Sequence, residues 1–327
     1  MHRFPVRVAG TVLAAAVLTG CAAGSGDPER GGADEGVITV VASTNVYAGI
    51  LTEIGGDNVE VTALIDRPSQ DPHSYEATAR DRLAVSKADL VVLNGGGYDS
   101  FLEKLAADEG IPAEDILNAV EISGLEDSGE DAEGVHGAET GHDGGEDHHG
   151  HRHGSFNEHV WYSPEAMGRL AGAAAERLAG LDAEAADSFQ ANAADFEAGI
   201  ADINAALAAL RDVSAGRDVA LTEPVPDYLV AAAGLHNATP SDFTEAVEEG
   251  ADVPPKVLKE MEDLVTGGSI AFLGYNEQTS TSQTETVREA AVSADVPVVD
   301  FTETLPEGQD YLQWMAANTA AMESVLR

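Results

Sequence analysis

Residues 189–210 read FQANAADFEAGIADINAALAAL. Within them Phe189, Phe196, Ile200, Ile203, Leu207 and Leu210 recur at spacings of seven, four, three, four and three, which draws one apolar stripe down a helix. The helical pattern starts earlier, at Ser163-Pro164-Glu165, which supplies an N-cap, a proline in the first turn and an acid near the positive end of the helix. Leu181-Asp182 interrupts it and predicts a second helix over 182–213. At 1.5 Å per residue that helix would run about 45 Å, more than a single lobe needs. Its simplest use is a rigid link between two lobes. A helical hairpin inside one domain is the competing reading, and the sequence on either side weakens it.

On the N-terminal side, residues 37–43 (VITVVAS) form a continuous β-branched run with the look of a buried parallel strand. A helical stretch over 46–54 follows, then a strand over 59–65, a two-proline loop over 66–76, a helix over 77–87, a strand over 88–93, a helix over 100–107 and a fourth strand over 116–122. On the C-terminal side the alternation resumes with strands over 218–221, 269–273 and 296–300. Helices are expected up to 234, over 254–264, over 279–294 and over 311–326. The fold class is therefore α/β: two lobes, each a central, mostly parallel sheet flanked by helices, joined by one long helix. His236 reads as a helix-end residue. Residues 37–181 form the N-terminal lobe, 182–213 the link and 214–327 the C-terminal lobe.

Composition narrows the function. The 327 residues carry 17 basic and 58 acidic side chains, a formal charge of −41. That argues against nucleic acid and against docking on anionic lipid through a basic patch. Residues 1–20 hold Arg3 and Arg7 ahead of a short apolar run ending in Leu18-Thr19-Gly20-Cys21. This resembles a bacterial lipobox, so 1–20 is expected to be a lipoprotein signal peptide. Cys21, the single cysteine, is the lipidation site, and 21–36 is a flexible tether. The membrane is then reached through the lipid alone.

Seven of the ten histidines fall between Glu126 and Trp161. His136, His142, His148, His149, His151 and His153 lie in an acidic, glycine-studded stretch with too few large apolar residues to order itself; the loop 123–155 is expected to be disordered and to bind metal weakly. His159 differs, because it sits in the apolar sequence that follows. His73, in an Asp-Pro-His turn, is the other imidazole near a strand end, while Glu223, Asp300 and Glu303 are carboxylates at strand ends of the second lobe. Two neutral imidazoles and two carboxylates balance one divalent cation, and four protein ligands suit tetrahedral zinc. A site closed by protein groups favours binding over catalysis. The chain has no HExxH, no GxSxG and no P-loop, and no enzymatic activity is expected.

Asp71-Pro72-His73-Ser74-Tyr75-Glu76, Asn157-Glu158-His159-Val160-Trp161, the linking helix and Glu303-Thr304-Leu305-Pro306 together resemble the solute-binding lipoproteins of ABC-type zinc and manganese importers. The resemblance covers residues from about 37 to the C-terminus. It implies one metal between the lobes, with His73 and His159 as N-lobe ligands and Glu223 where zinc members carry a third histidine and manganese members a glutamate. Glu303 matches the C-lobe carboxylate, and Asp300 is a rival for that fourth position. The histidine loop leans towards zinc and the two carboxylates towards manganese; zinc is the choice and manganese the alternative. The expected partner is an ABC permease, with the receptor a monomer held at the outer face of the cytoplasmic membrane. An extracellular metal buffer or adhesin is the remaining alternative. Since both imidazoles must be neutral to ligate, affinity should fall below about pH 6.5.

Overall fold

The computed structural model describes residues 36–67, 70, 75–125 and 156–327. Cys21, His73 and the six histidines from His136 to His153 lie outside the described residues, so the expectations placed on them rest on the sequence. Residues 36–327 cluster as a single compact unit.

Two four-stranded parallel sheets organise that unit. The first contains β1 (Ile38–Thr44), β2 (Val59–Ile65), β3 (Leu90–Leu93) and β4 (Ile116–Asn118), in the order β2-β1-β3-β4. Its helices are α1 (Asn45–Gly55), α2 (Ala79–Val85), α3 (Ser100–Glu109) and α4 (Ala119–Ser123). Next come α5 (Pro164–Leu181) and α6 (Ala186–Ser214). The second sheet contains β5 (Asp218–Leu221), β6 (His236–Asn237), β7 (Ile270–Asn276) and β8 (Val298–Phe301), in the order β6-β5-β7-β8. Its helices are α7 (Asp227–Ala232), α8 (Ser241–Glu248), α9 (Pro255–Thr266), α10 (Ser282–Ser293) and α11 (Tyr311–Leu326).

The two-residue period of a strand divides each sheet between two apolar layers. Val40, Ala42, Leu90 and Val92 face one core while Val41, Val91 and Leu93 face another. In the second sheet Val219 and Leu221 face the first of these cores, and Ala220 faces a third. The inner layers of both sheets are thus one continuous cluster, running from Ile38 to Leu326. The α6 stripe lies inside it: Phe189, Phe196, Ile200, Ile203, Leu207 and Leu210 are all buried. At 29 residues α6 is about 43 Å long. It packs along α5, α1, α11 and α7, so it works as the spine of a shared core and not as a bare rod. Asp182 makes the turn between α5 and α6, its Oδ1 accepting from the N–H groups of Glu184 (2.9 Å) and Ala185 (3.3 Å).

Three stretches differ from the sequence expectation. The strand foreseen over 116–122 stops at Asn118, whose side chain caps α4 by accepting from the Glu121 N–H, and an Asn N-cap overrides the β-branched run behind it. His236 is a strand residue in β6, exposed, with Nδ1 2.9 Å from Asp218 Oδ1. Helix α8 was not foreseen at all. Its only apolar signal is the Phe243/Val247 pair, four residues apart and buried on one face.

Candidate metal centre

The centre lies where strand ends of both sheets meet, and each wall is held in its own way. On the first-lobe wall, β3 runs into a glycine loop. Gly96 has φ +65°, and a Cβ there would sit 3.2 Å from Val120 Cγ2 and 3.3 Å from Glu158 Cβ, so glycine suits both the left-handed backbone and the close approach. Asp99 is fully buried and ties the loop together, accepting from the Asn94 N–H (2.6 Å) and the Gly95 N–H (2.9 Å). Burial pushes its carboxyl up to about 6, against the opposing pull of those two N–H groups and the Ser43 hydroxyl. The Asn94 amide, itself accepting from the Tyr47 hydroxyl, donates to the Glu158 carbonyl at 3.0 Å. The segment that carries Glu158 and His159 is thereby fastened to the end of β3.

His159, 2% exposed, precedes a 3-10 turn over Val160–Tyr162. Its Nδ1 is 2.6 Å from Asn157 Oδ1. The other face of that amide, Nδ2, donates to the Pro224 carbonyl (2.9 Å), so Oδ1 can only accept. Nδ1 therefore carries a proton, which leaves Nε2 as the ring nitrogen that can serve a metal. Trp161 and Tyr98 meet the ring edge-on, with centroids 5.0 and 5.9 Å away.

On the second-lobe wall the carboxylates are held by amides. Glu223 follows β5, and Glu303 follows β8; they are 4% and 7% exposed. Asn276, the last residue of β7, donates from one nitrogen to Glu223 Oε2 (2.5 Å) and Glu303 Oε1 (2.8 Å). Gln278 Oε1 accepts from the Glu303 and Thr304 N–H groups (2.6 and 3.1 Å). Across the cleft, the Tyr98 hydroxyl lies 3.3 Å from Glu303 Oε2. Burial and the neighbouring Glu303 keep that phenol protonated, so it donates. Asp300 is exposed on β8.

Two further acids meet at His159. Glu158, Glu248 and His159 place one potential donor atom each within 4.8 Å of one another, and His159 Nε2 is 3.9 Å from Glu248 Oε1. Glu248 closes α8. Burial first, then the charges of Glu158, Glu223, Glu303 and Glu245, push its carboxyl up to about 8. Glu158 and Glu248 are thus the acids that meet His159, while Glu223 and Glu303 act on Glu248 through their charge and Glu303 is linked to the His159 ring through Tyr98. Sequence reasoning missed Glu158 and Glu248, as well as the clamp Asn276. Glu158 was adjacent to a named ligand. Glu248 sits among Glu245 and Glu249, where an acid looks like ordinary helix surface.

Two parallel-sheet lobes on a shared helical spine, with a buried imidazole facing buried acids between them, are the frame against which similar proteins can be set. The family described as ZnuA, zinc-uptake complex component A, periplasmic, matches residues 40–325, and the chain belongs to that family. The zinc-binding lipoprotein AdcA of Streptococcus pneumoniae is 24% identical over 295 residues, covering 88% of this chain and 56% of AdcA. The chain thus spans about half the length of that curated relative. The manganese-binding lipoprotein MntA of Halalkalibacterium halodurans is 30% identical over 118 residues, 34% of this chain and 39% of MntA. Among solved structures, the periplasmic zinc-binding protein TroA of Treponema pallidum superposes with a TM-score of 0.69, covering 89% of this chain and 99% of that one. At 15% identity this likeness concerns the fold.

Proposed function

We propose that the protein is an extracytoplasmic receptor that captures zinc between its two lobes and delivers it to the permease of an ABC importer. The observation that carries this reading is the oriented imidazole of His159 facing a group of buried carboxylates. A buried acid is costly when its neighbours are acids, and a divalent ion turns that repulsion into binding energy. In this reading His159 supplies Nε2, while Glu223 and Glu303 supply carboxylate oxygens. His73 supplies the second imidazole on the strength of its motif. Burial and the Asn276 bond favour Glu303 over the exposed Asp300 as the C-lobe ligand. The metal is cargo and the protein a binder, with no reaction to catalyse. No described helix is long and apolar enough to cross a membrane; attachment at the outer face of the cytoplasmic membrane is assigned to a lipid on Cys21, with the receptor working as a monomer. The tract from His136 to His153 acts as a weak accessory collector.

Manganese is the second reading, favoured by the number of carboxylates, which are hard ligands. Calorimetric titration of metal-stripped protein with each ion decides between them, with a parallel sample lacking residues 136–153. Submicromolar zinc binding that outcompetes manganese supports the first reading. Tighter manganese binding selects the second, and failure to bind either ion rejects the receptor.

A further inference from the structure

We propose that Glu248 and Glu158 are additional metal ligands in this cleft, and that their oxygens raise its coordination number and set its preference among divalent cations. The inference rests on the receptor reading above and adds to it two donors and a basis for selectivity.

Glu158 is 5% exposed, and its Oε1 is buried with no hydrogen-bond partner among the described residues; Glu248 Oε1 is in the same condition. Ordinary structural roles do not account for either acid. A surface carboxylate would be solvated, yet the Glu248 side chain is 16% exposed. As a helix residue Glu248 is also misplaced, because it stands at the C-terminus of α8, where carbonyl dipoles repel an anion. Its one ion-pair contact among the described residues is His159 Nε2, at 3.9 Å. At that distance the contact is not a hydrogen bond.

Geometry supplies the positive argument. Donors bonded to one cation at about 2.0–2.4 Å lie no more than about 4.8 Å apart, the limit when they are opposite each other. The trio of His159, Glu158 and Glu248 falls within 4.8 Å. One ion can therefore touch all three, with a single nitrogen and two hard oxygens from this group. Within that group oxygen donors outnumber nitrogen two to one. A six-coordinate, oxygen-rich shell suits manganese. The two added acids should thus support manganese more than zinc, so that the cleft accepts both.

The test compares the full chain with Glu248→Gln, Glu158→Gln and Glu245→Gln, each stripped of metal and titrated with zinc and with manganese. Glu245 is exposed on the same helix, and its substitution removes a nearby carboxylate without removing a proposed ligand. Glu248→Gln and Glu158→Gln are each expected to weaken manganese at least about tenfold more than zinc, and Glu245→Gln to leave both ions within about twofold. Having one variant on each wall keeps the result from depending on the folding of either. Equal losses for the two ions, or Glu245→Gln matching Glu248→Gln, would overturn the proposal by reducing the acids to a diffuse field. If the wild type binds through His159 but ignores Glu248→Gln and Glu158→Gln, this inference alone fails. If the wild type binds neither ion, the receptor reading fails with it.

Discussion

The two lobes share a sheet order and an outer apolar layer, yet they present opposite chemistry to the space between them. The first lobe offers an imidazole whose orientation is set from behind by Asn157, on a segment fastened through Asn94 and the buried Asp99. The second offers carboxylates held by side-chain amides, with Asn276 reaching both Glu223 and Glu303. The first wall brings the imidazole together with the acid Glu158, and the second brings Glu223, Glu303 and Glu248, so the nitrogen comes from one side and most of the charge from the other. Their inner layers belong to one core through α6 and α11. That continuity holds the walls at a fixed separation, and it argues that metal capture proceeds by local adjustment more than by swinging lobes apart. The outer layer beneath α8, containing Phe243 and Val247, is a separate cluster. Adjustment on binding should therefore concentrate where Glu248 sits.

The sharpest way to break the pairing of the two walls is to remove the imidazole. His159→Ala should abolish tight binding of both ions, because it deletes the one nitrogen that the described residues orient into the cleft. Calorimetry reads the loss directly, and retained submicromolar affinity would move the site elsewhere. On the opposite wall, Asn276→Leu leaves the acids in place and removes the amide that orients them. Supporting hydrogen bonds of this kind typically contribute about 10–100-fold in metal affinity, and a loss in that range is expected. The apo protein should also lose roughly 1–3 kcal/mol, since two buried carboxylate oxygens forfeit a donor. Chemical denaturation measures that second effect, and an unchanged affinity would deny Asn276 its positioning role.

The walls also differ in how they respond to pH. Glu248 is pushed up to about 8 in the empty protein, whereas its ordinary value is 4.5. A folded-state value above the unfolded one means the stability is fully present below about pH 4.5, where both states are protonated, and is lost as pH rises towards 8. Asp99, up at about 6, acts in the same direction over a lower window. The melting temperature of metal-free protein should therefore fall between pH 5 and 8, and Glu248→Gln should flatten the upper part of that fall. Bound metal requires the ionised carboxylate, so metal uptake at pH 7 should release a proton. Titrations in buffers of different ionisation enthalpy would show it; a buffer-independent enthalpy would contradict the raised value.

Much of this was legible in the chain, for identifiable reasons. Buried parallel strands are written as β-branched runs such as 37–43, and the α6 stripe states its own period, so the α/β class and the long helix follow from pattern alone. His159 could be singled out because the sequence around it turns apolar. The rest was hidden by physics that pattern does not encode. β6 is two residues long, too short for any period. Strand 116–122 was cut at Asn118 by a capping bond. Asn276 and Glu248 draw their roles from neighbours 20 to 90 positions away in the sequence, His159, Glu223 and Glu303. No local signal separates a clamp or a ligand from an ordinary polar residue.

The smallest effect is expected from the most conspicuous feature, the histidine tract. If the cleft alone binds tightly, deleting residues 126–155 should change its affinity by less than about twofold, since none of the donors named for the site lies in that segment. The flanks make the deletion a fair test. Leu125 and Phe156 are partly buried against the main core, and Leu125 N–H donates to Ser123 Oγ at 3.1 Å, so a short glycine-serine bridge between them leaves both anchors in place. What should disappear is the set of weak, multiple zinc sites expected at high metal concentration, which the six imidazoles of this acidic segment would supply. Stoichiometry at micromolar and at millimolar zinc, measured by equilibrium dialysis on both chains, separates the two populations. One tight equivalent retained, with the excess equivalents gone, leaves the cleft as the receptor and the tract as its collector. Loss of the tight equivalent would mean that the tract contributes a ligand to the cleft, and the division between the walls would need a third participant.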